Sequence, residues 1–174
     1  MNWDALGAIG ELIGGLIVVV TVIYLSRQIR ESNKHAKAEA EREVQSYWDK
    51  NVVDVTLRDP SIRAVSRKGY GSFEALTDDE KAVFMLLITH VMNHLEMVLR
   101  MERDGLLATD IADTYRAVSL SMLGTPGGRE FWQMGYTYQE LSTRHINQNL
   151  NSTDVVPLTK ALPFWSAGSS SEQQ

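Results

Sequence analysis

Residues 5–25 read ALGAIGELIGGLIVVVTVIYL, and the fold turns on what that stretch does. As an α-helix rising ~1.5 Å per residue it would be roughly 30 Å long, the thickness of a bilayer's hydrocarbon core. Its densest part, Leu12 to Leu25, falls short of a full crossing, so the span has to include Glu11. A slight tilt or local thinning places that acid in the outer third of the layer, where protonation, a reach toward headgroups or a facing helix can accommodate it. The flanks argue against a cleaved secretory signal, which opens with positive charge and closes at small residues. Here Asp4 and Glu11 precede the densest apolar run, and Tyr24, Leu25, Ser26, Arg27, Gln28, Ile29 and Arg30 close it. Arg27, Arg30, Lys34 and Lys37 follow as a basic flank, which the positive-inside rule puts in the cytoplasm. The N-terminus is then expected outside, with Trp3 and Tyr24 near the two interfaces.

Gly7, Gly10, Gly14 and Gly15 cluster in the outer half of this segment. Gly10 and Gly14 are four apart and share a helix face with Gly7 a turn earlier, so backbones can approach closely there. Glu11 lies beside the seam and can be satisfied by a hydrogen bond across it. Gly7, Gly10, Glu11 and Gly14 are therefore the candidate surface for helix association, although glycine is common in membrane helices of every kind.

The rest of the 174 residues, at 44% hydrophobic content overall, suffices for one modest core. A formal net charge of −5 provides no basic field to gather phosphate backbone, so nucleic acid is not an expected partner. The absence of cysteine excludes disulfides, thiolate nucleophiles, zinc–thiolate sites and iron–sulfur clusters. The expected fold is all-α: a single N-terminal transmembrane helix over residues 1–30, a helical connector over 31–57 packing into the body, a cytoplasmic helical bundle over 58–150 and a loose tail over 151–174.

The connector is free of glycine and proline, and Ala36, Ala40, Val44, Tyr47, Asn51 and Val55 recur at helical steps as one seam. A break near Ser32–Asn33 is one expectation and continuous helix the other. Asp59–Pro60 should end or bend the helix, and Lys68–Gly69–Tyr70–Gly71–Ser72 reads as a loop. Thr77 followed by Glu80 is a capping box opening a long helix that closes at Asp104–Gly105. Apolar over most of its circumference, that helix should be covered by several neighbours, and its short uninterrupted run from Ala82 to Ile88 argues against a second span. A further helix should start near Asp110 and stop at Gly124–Thr125–Pro126–Gly127–Gly128, with Thr125 capping a last helix carrying Phe131, Trp132, Met134, Tyr138, Leu141 and Ile146. Leu162, Pro163, Phe164 and Trp165 form a final apolar cluster before a polar tail.

Groups able to carry chemistry are few. His90 and His94 are four apart on the long helix, so their rings share a face and could ligate one metal or small ligand. The HExxH arrangement is absent, and a third ligand would have to come from Glu130, Glu140, His145 or another chain. The ordinary role of such histidines is a hydrogen-bonded boundary residue. Ser119 and Ser121 lie on a helix without a nucleophile elbow. The carboxylates fall in charged surfaces and first helical turns, where solvation and capping account for them. Tyr136 and Tyr138, with Phe131 and Trp132, read as a packing surface. Arg129 is placed to pair with Glu130, Glu102 or another acid.

Two stretches carry a resemblance. NWDALGAIGELIGGLIVVVTVIYLSRQIRESN and the later LGTPGGREFWQMG resemble a widespread set of uncharacterised bacterial proteins with an N-terminal membrane helix ending in a YLxxQIRxxN-like run and a helical body carrying a PGGRxFW-like segment. The matching residues here are Tyr24, Leu25, Gln28, Ile29, Arg30 and Asn33, then Pro126, Gly127, Gly128, Arg129, Phe131 and Trp132. The resemblance implies bacterial origin and membrane attachment and supplies no reaction; the bacterial inner membrane is the expected location, and no cofactor is expected. The expected function is accordingly that of a non-enzymatic membrane-anchored interaction or accessory protein, a homo-oligomer or a subunit of a larger membrane complex. The alternative is a membrane sensor binding metal or small ligand through His90 and His94.

Overall fold

The structure, a computed structural model, describes residues 3–135 and 139–161. Among the described residues every regular element is helical. Helix α1 runs from Trp3 to Trp48 without a break at Ser32–Asn33, as the absence of glycine and proline after Gly15 allows. The chain divides into two compact units, Met1–Glu39 and Ala40–Gln174. In the second unit, Ala40 and Val44 are the first buried residues.

A π turn over Asp49–Val53 follows, then α2 over Asp54–Arg58. The wider turn holds an extra residue and rotates the inward face. Burial passes from Val44 to Val52 and Thr56, while Val55 is 37% exposed. The expected seam through Asn51 and Val55 is thus displaced by one residue. Thr56 satisfies its buried hydroxyl by donating to the Val52 carbonyl at 2.7 Å.

Asp59 is extended, at φ −107° and ψ 111°, and its carboxylate accepts from the Ser61 amide, so Pro60 opens α3, Pro60–Gly71. The expected loop at 68–72 is instead the last turn of this helix and its cap. Packing overrides the glycines: Gly69 lets the Phe84 ring lie on the helix backbone, where a Cβ would collide with it, and Tyr70 meets Phe84 edge-on at 5.3 Å.

Helix α4, Asp78–Arg103, opens with the expected capping box: Thr77 Oγ1 accepts from the Glu80 amide at 3.3 Å, and Glu80 Oε2 accepts from the Thr77 amide at 2.8 Å. Gly105, at φ +71°, reverses the chain after it. Phe84, Ile88, Met92 and Leu95 form the main core with Tyr70, Phe73, Leu123, Phe131 and Ile146. Val98 joins Val44, Leu107 and Ala112 in a second cluster. The remaining helices are α5 (Thr109–Leu123), α6 (Pro126–Gln133), α7 (Glu140–Asn149) and α8 (Leu158–Ala161). Gly135, at φ +77°, follows α6, so the single last helix expected through Ile146 is two helices. Tyr136, Tyr138, the Leu162–Trp165 cluster and the polar residues after it lie outside the described residues, while the start of the segment expected as a loose tail carries α8.

Candidate functional site

Two helices are long and apolar enough to cross a membrane by length and composition. Half of the α4 stretch is buried by its own neighbours, whereas none of the N-terminal stretch is. From Leu12, 76% exposed, to Leu25, 48% exposed, large apolar side chains cover α1, with Ile29 exposed beyond them. The polar groups in this run turn inward on their own helix. Thr21 donates to the Ile17 carbonyl and Ser26 to the Val22 carbonyl, both at 2.8 Å, and Gln28 Nε2 donates to the Tyr24 hydroxyl at 3.0 Å. Such local bonds spare a helix surface from presenting unsatisfied donors to hydrocarbon. Gly7, Gly14 and Gly15 have open space where a Cβ would stand; Gly10 lies on the same helix. Glu11 is exposed beside them, and so are Arg27, Arg30, Lys34 and Lys37 further along.

His90 and His94 face the end of α1 in different ways. His90 Nδ1 lies 3.3 Å from the Tyr47 hydroxyl. His94 is fully buried, and its Nε2 donates to the Val44 carbonyl at 3.0 Å. Around it stand Tyr47 stacked at 5.8 Å, Trp48 at 5.1 Å and Tyr115 edge-on at 4.6 Å. Burial pushes the His94 pKa down to about 4, against a smaller opposing pull from the Val44 carbonyl. The ring is therefore neutral near pH 7, with Nδ1 an acceptor that has no partner among the described residues. The acids named as further ligands are engaged elsewhere, Glu130 with Ser72 and the Glu74 amide and Glu140 with Arg144. Among the described residues, no three His, Asp or Glu side chains gather as a metal cage.

The Gly124–Trp132 segment is a junction in every residue that marks it. Thr125 Oγ1 accepts from the Gly128 amide at 3.1 Å and Pro126 opens α6. A Cβ on Gly127 would overlap the Gly69 carbonyl oxygen, and one on Gly128 would stand 2.6 Å from the Met122 carbonyl oxygen. Among the described residues Arg129 pairs with no acid, contrary to expectation. Its Nε donates to the Gly124 carbonyl at 3.1 Å, and its other nitrogens donate to Asn151 Oδ1 and the Leu150 carbonyl, each at 2.9 Å. It thereby binds the carbonyl ends of α5 and α7, where a cation is favoured. Phe131 is buried, and Trp132 Nε1 donates to Asn147 Oδ1 at 3.0 Å.

No family model, curated protein or solved structure matches the chain. Its function has to be read from its own chemistry.

Spacing allows the Glu96–Arg100 pair on α4, but two polar centres extend beyond what it reads. Glu96 is 2% exposed, and its carboxylate accepts from Arg100 Nε at 2.9 Å and from the Ser142 amide at 2.8 Å. It supplies the missing side-chain cap of α7, whose own N-cap residue, Gln139, makes none. Arg116 grips Glu102 with both terminal nitrogens, at 2.7 and 3.0 Å, and reaches Asp113 at 2.6 Å. Asn93 accepts from Gln139 at 3.2 Å, extending the α4–α7 seam.

Proposed function

We propose that this chain is a membrane-anchored interaction or accessory protein. Residues 1–30 cross a bacterial inner membrane once, with the N-terminus outside and the helical body in the cytoplasm. The seam of Gly7, Gly10, Glu11 and Gly14 meets either a second copy or a larger membrane protein. The observation that carries this reading is the uncovered apolar surface from Leu12 to Ile29, which far exceeds what a protein leaves to water. The basic flank Arg27, Arg30, Lys34 and Lys37 supports the orientation. The resemblance in the YLxxQIRxxN and PGGRxFW segments is in keeping with it, and the second of those segments consists of packing and capping residues. Extraction at alkaline pH, followed by particle mass in native nanodiscs, tests both halves. The intact chain should stay with the membrane and run as a complex larger than one copy; release without detergent would overturn the anchor, and a monomeric particle would overturn the association.

A second reading, small-ligand or metal sensing at His90 and His94, has one supporting observation in the unpartnered Nδ1 of His94. Elemental analysis of protein purified without added metal tests the metal version, which a metal-free product would sink.

A further inference from the structure

Arg27, Arg30, Lys34 and Lys37 follow one another at steps of three, four and three residues, and α1 is continuous helix through all of them. With about 100° between successive residues, the four fall within an arc of about 80° on one face. Ile29, Ser32 and Ala36 occupy the far side. Glu31, the one acid between Arg27 and Lys37, lies outside the arc. All four cations are exposed, and among the described residues none of them meets an acid. Arg58, Lys68, Arg100, Arg103, Arg116 and Arg144 all do.

Orientation by positive charge depends on how many cations follow a span and not on the face they occupy. Solvation is equally indifferent to direction. A common face is what a partner of opposite charge, approached from one side, requires. Depth identifies that partner. On the single-crossing reading, on which this inference rests, Arg27 and Arg30 stand about 3 and 8 Å past Leu25 along the axis, within reach of a headgroup layer about 5–7 Å deep. Helix side chains lean toward the N-terminus, which here is toward the bilayer. Lys34 and Lys37, about 14 and 18 Å out, then come within about one Debye length of the charged surface. The two guanidinium forks, which grip phosphate at two points, are thus the nearer pair, and the two ammonium point charges the farther. Arg27 and Arg30 are also three apart, so their Cβ atoms lie about 5–6 Å from each other and both can reach one phosphate.

We propose that this face binds anionic phospholipid headgroups of the adjacent leaflet: Arg27 and Arg30 hold the phosphate, and Lys34 and Lys37 draw the same lipids from farther out. A zwitterionic headgroup sets its own ammonium against the phosphate and competes poorly. The test uses the full chain in nanodiscs of phosphatidylcholine with a minority of phosphatidylglycerol, spin-labelled in either lipid, and reads the fraction of each lipid that the protein immobilises. Phosphatidylglycerol should be preferred about fivefold at low salt, and the preference should fall toward one near about 1 M salt. Arg27→Gln with Arg30→Gln should reduce it to under about twofold. Arg27→Gln, Gln28→Arg, Ile29→Arg and Arg30→Ile together keep composition and depth but turn both guanidiniums about 100° off the face. That exchange should lower the preference at least about twofold. Equal immobilisation of the two lipids by a chain that stays in the nanodisc overturns the proposal and leaves the anchor standing; a chain that leaves the bilayer overturns the anchor as well. An exchanged variant as selective as wild type would mean that charge count suffices, which also overturns the proposal.

Discussion

Glu96 places a charge inside the body and uses all of it: one oxygen on Arg100, the other on the first turn of α7. Removing a buried acceptor leaves the Ser142 amide unpaired, so Glu96→Ala should cost about 2 kcal/mol in urea unfolding. Arg100→Ala should cost under about 1 kcal/mol, because that side chain is 57% exposed. Equal losses for the two variants would contradict the assignment. His94 makes a second prediction. Its folded pKa of about 4 lies below the ordinary 6.5, so between those values the unfolded chain binds the extra proton. Stability should therefore be full above pH 6.5 and fall as pH drops toward 4, by up to about 3 kcal/mol. His145, also pushed down by burial, adds a slope of the same sign. His94→Gln should accordingly flatten the pH dependence between pH 7 and 5 without abolishing it; an unchanged slope would show that His94 is not the group responsible. The four-residue step from Glu96 to Arg100 and the hydrogen-bonded role of His94 were legible in the sequence. Their distant partners were not, since Ser142 and Val44 stand 46 and 50 residues away.

The elements that sequence reading captured are those whose signals are local. Thr77 and Glu80 cap α4 within one turn, Asp59–Pro60 separates α2 from α3, and Thr125–Pro126 opens α6. It failed where a neighbour decides: the glycines at 69 and 71 read as a loop until Phe84 is seen lying on the helix, and the π turn carries no local mark. The α3–α6 crossing is the tightest backbone approach described above. Gly127→Ala, forced against the Gly69 carbonyl, should destabilise by about 3 kcal/mol, measured by thermal unfolding; a loss below about 1 kcal/mol would mean the helices separate cheaply. The apolar N-terminal helix yields a prediction of its own. Gly10→Leu with Gly14→Leu should lower the particle mass in nanodiscs while leaving membrane insertion intact. Unchanged mass across several detergent concentrations would remove the seam.

For the whole molecule, composition alone separates the two apolar helices. α4 sets Asn93, Glu96 and Arg100 among its apolar residues and is half covered by its neighbours, whereas the run from Leu12 to Leu25 has only Thr21 as a side-chain donor before its closing tyrosine. What composition could not give is a partner, since a seam of glycines specifies close approach without saying to what. The chain lacks cysteine, which makes its topology directly testable. In intact cells Asn2→Cys should react with a membrane-impermeant maleimide, and Ala75→Cys should react only after lysis. The opposite pattern would invert the orientation.

The π turn at Asp49–Val53 also bears on which changes of length the chain tolerates. Deleting one of its residues would remove the extra residue and restore an ordinary ladder, with Val52 and Thr56 then seven and eleven steps after Val44 and so still on its face. Val55 would stay on the outer side. A single-codon deletion inside this turn is therefore a milder lesion than the same deletion in the ordinary helix before it, which would turn the downstream face by about 100°.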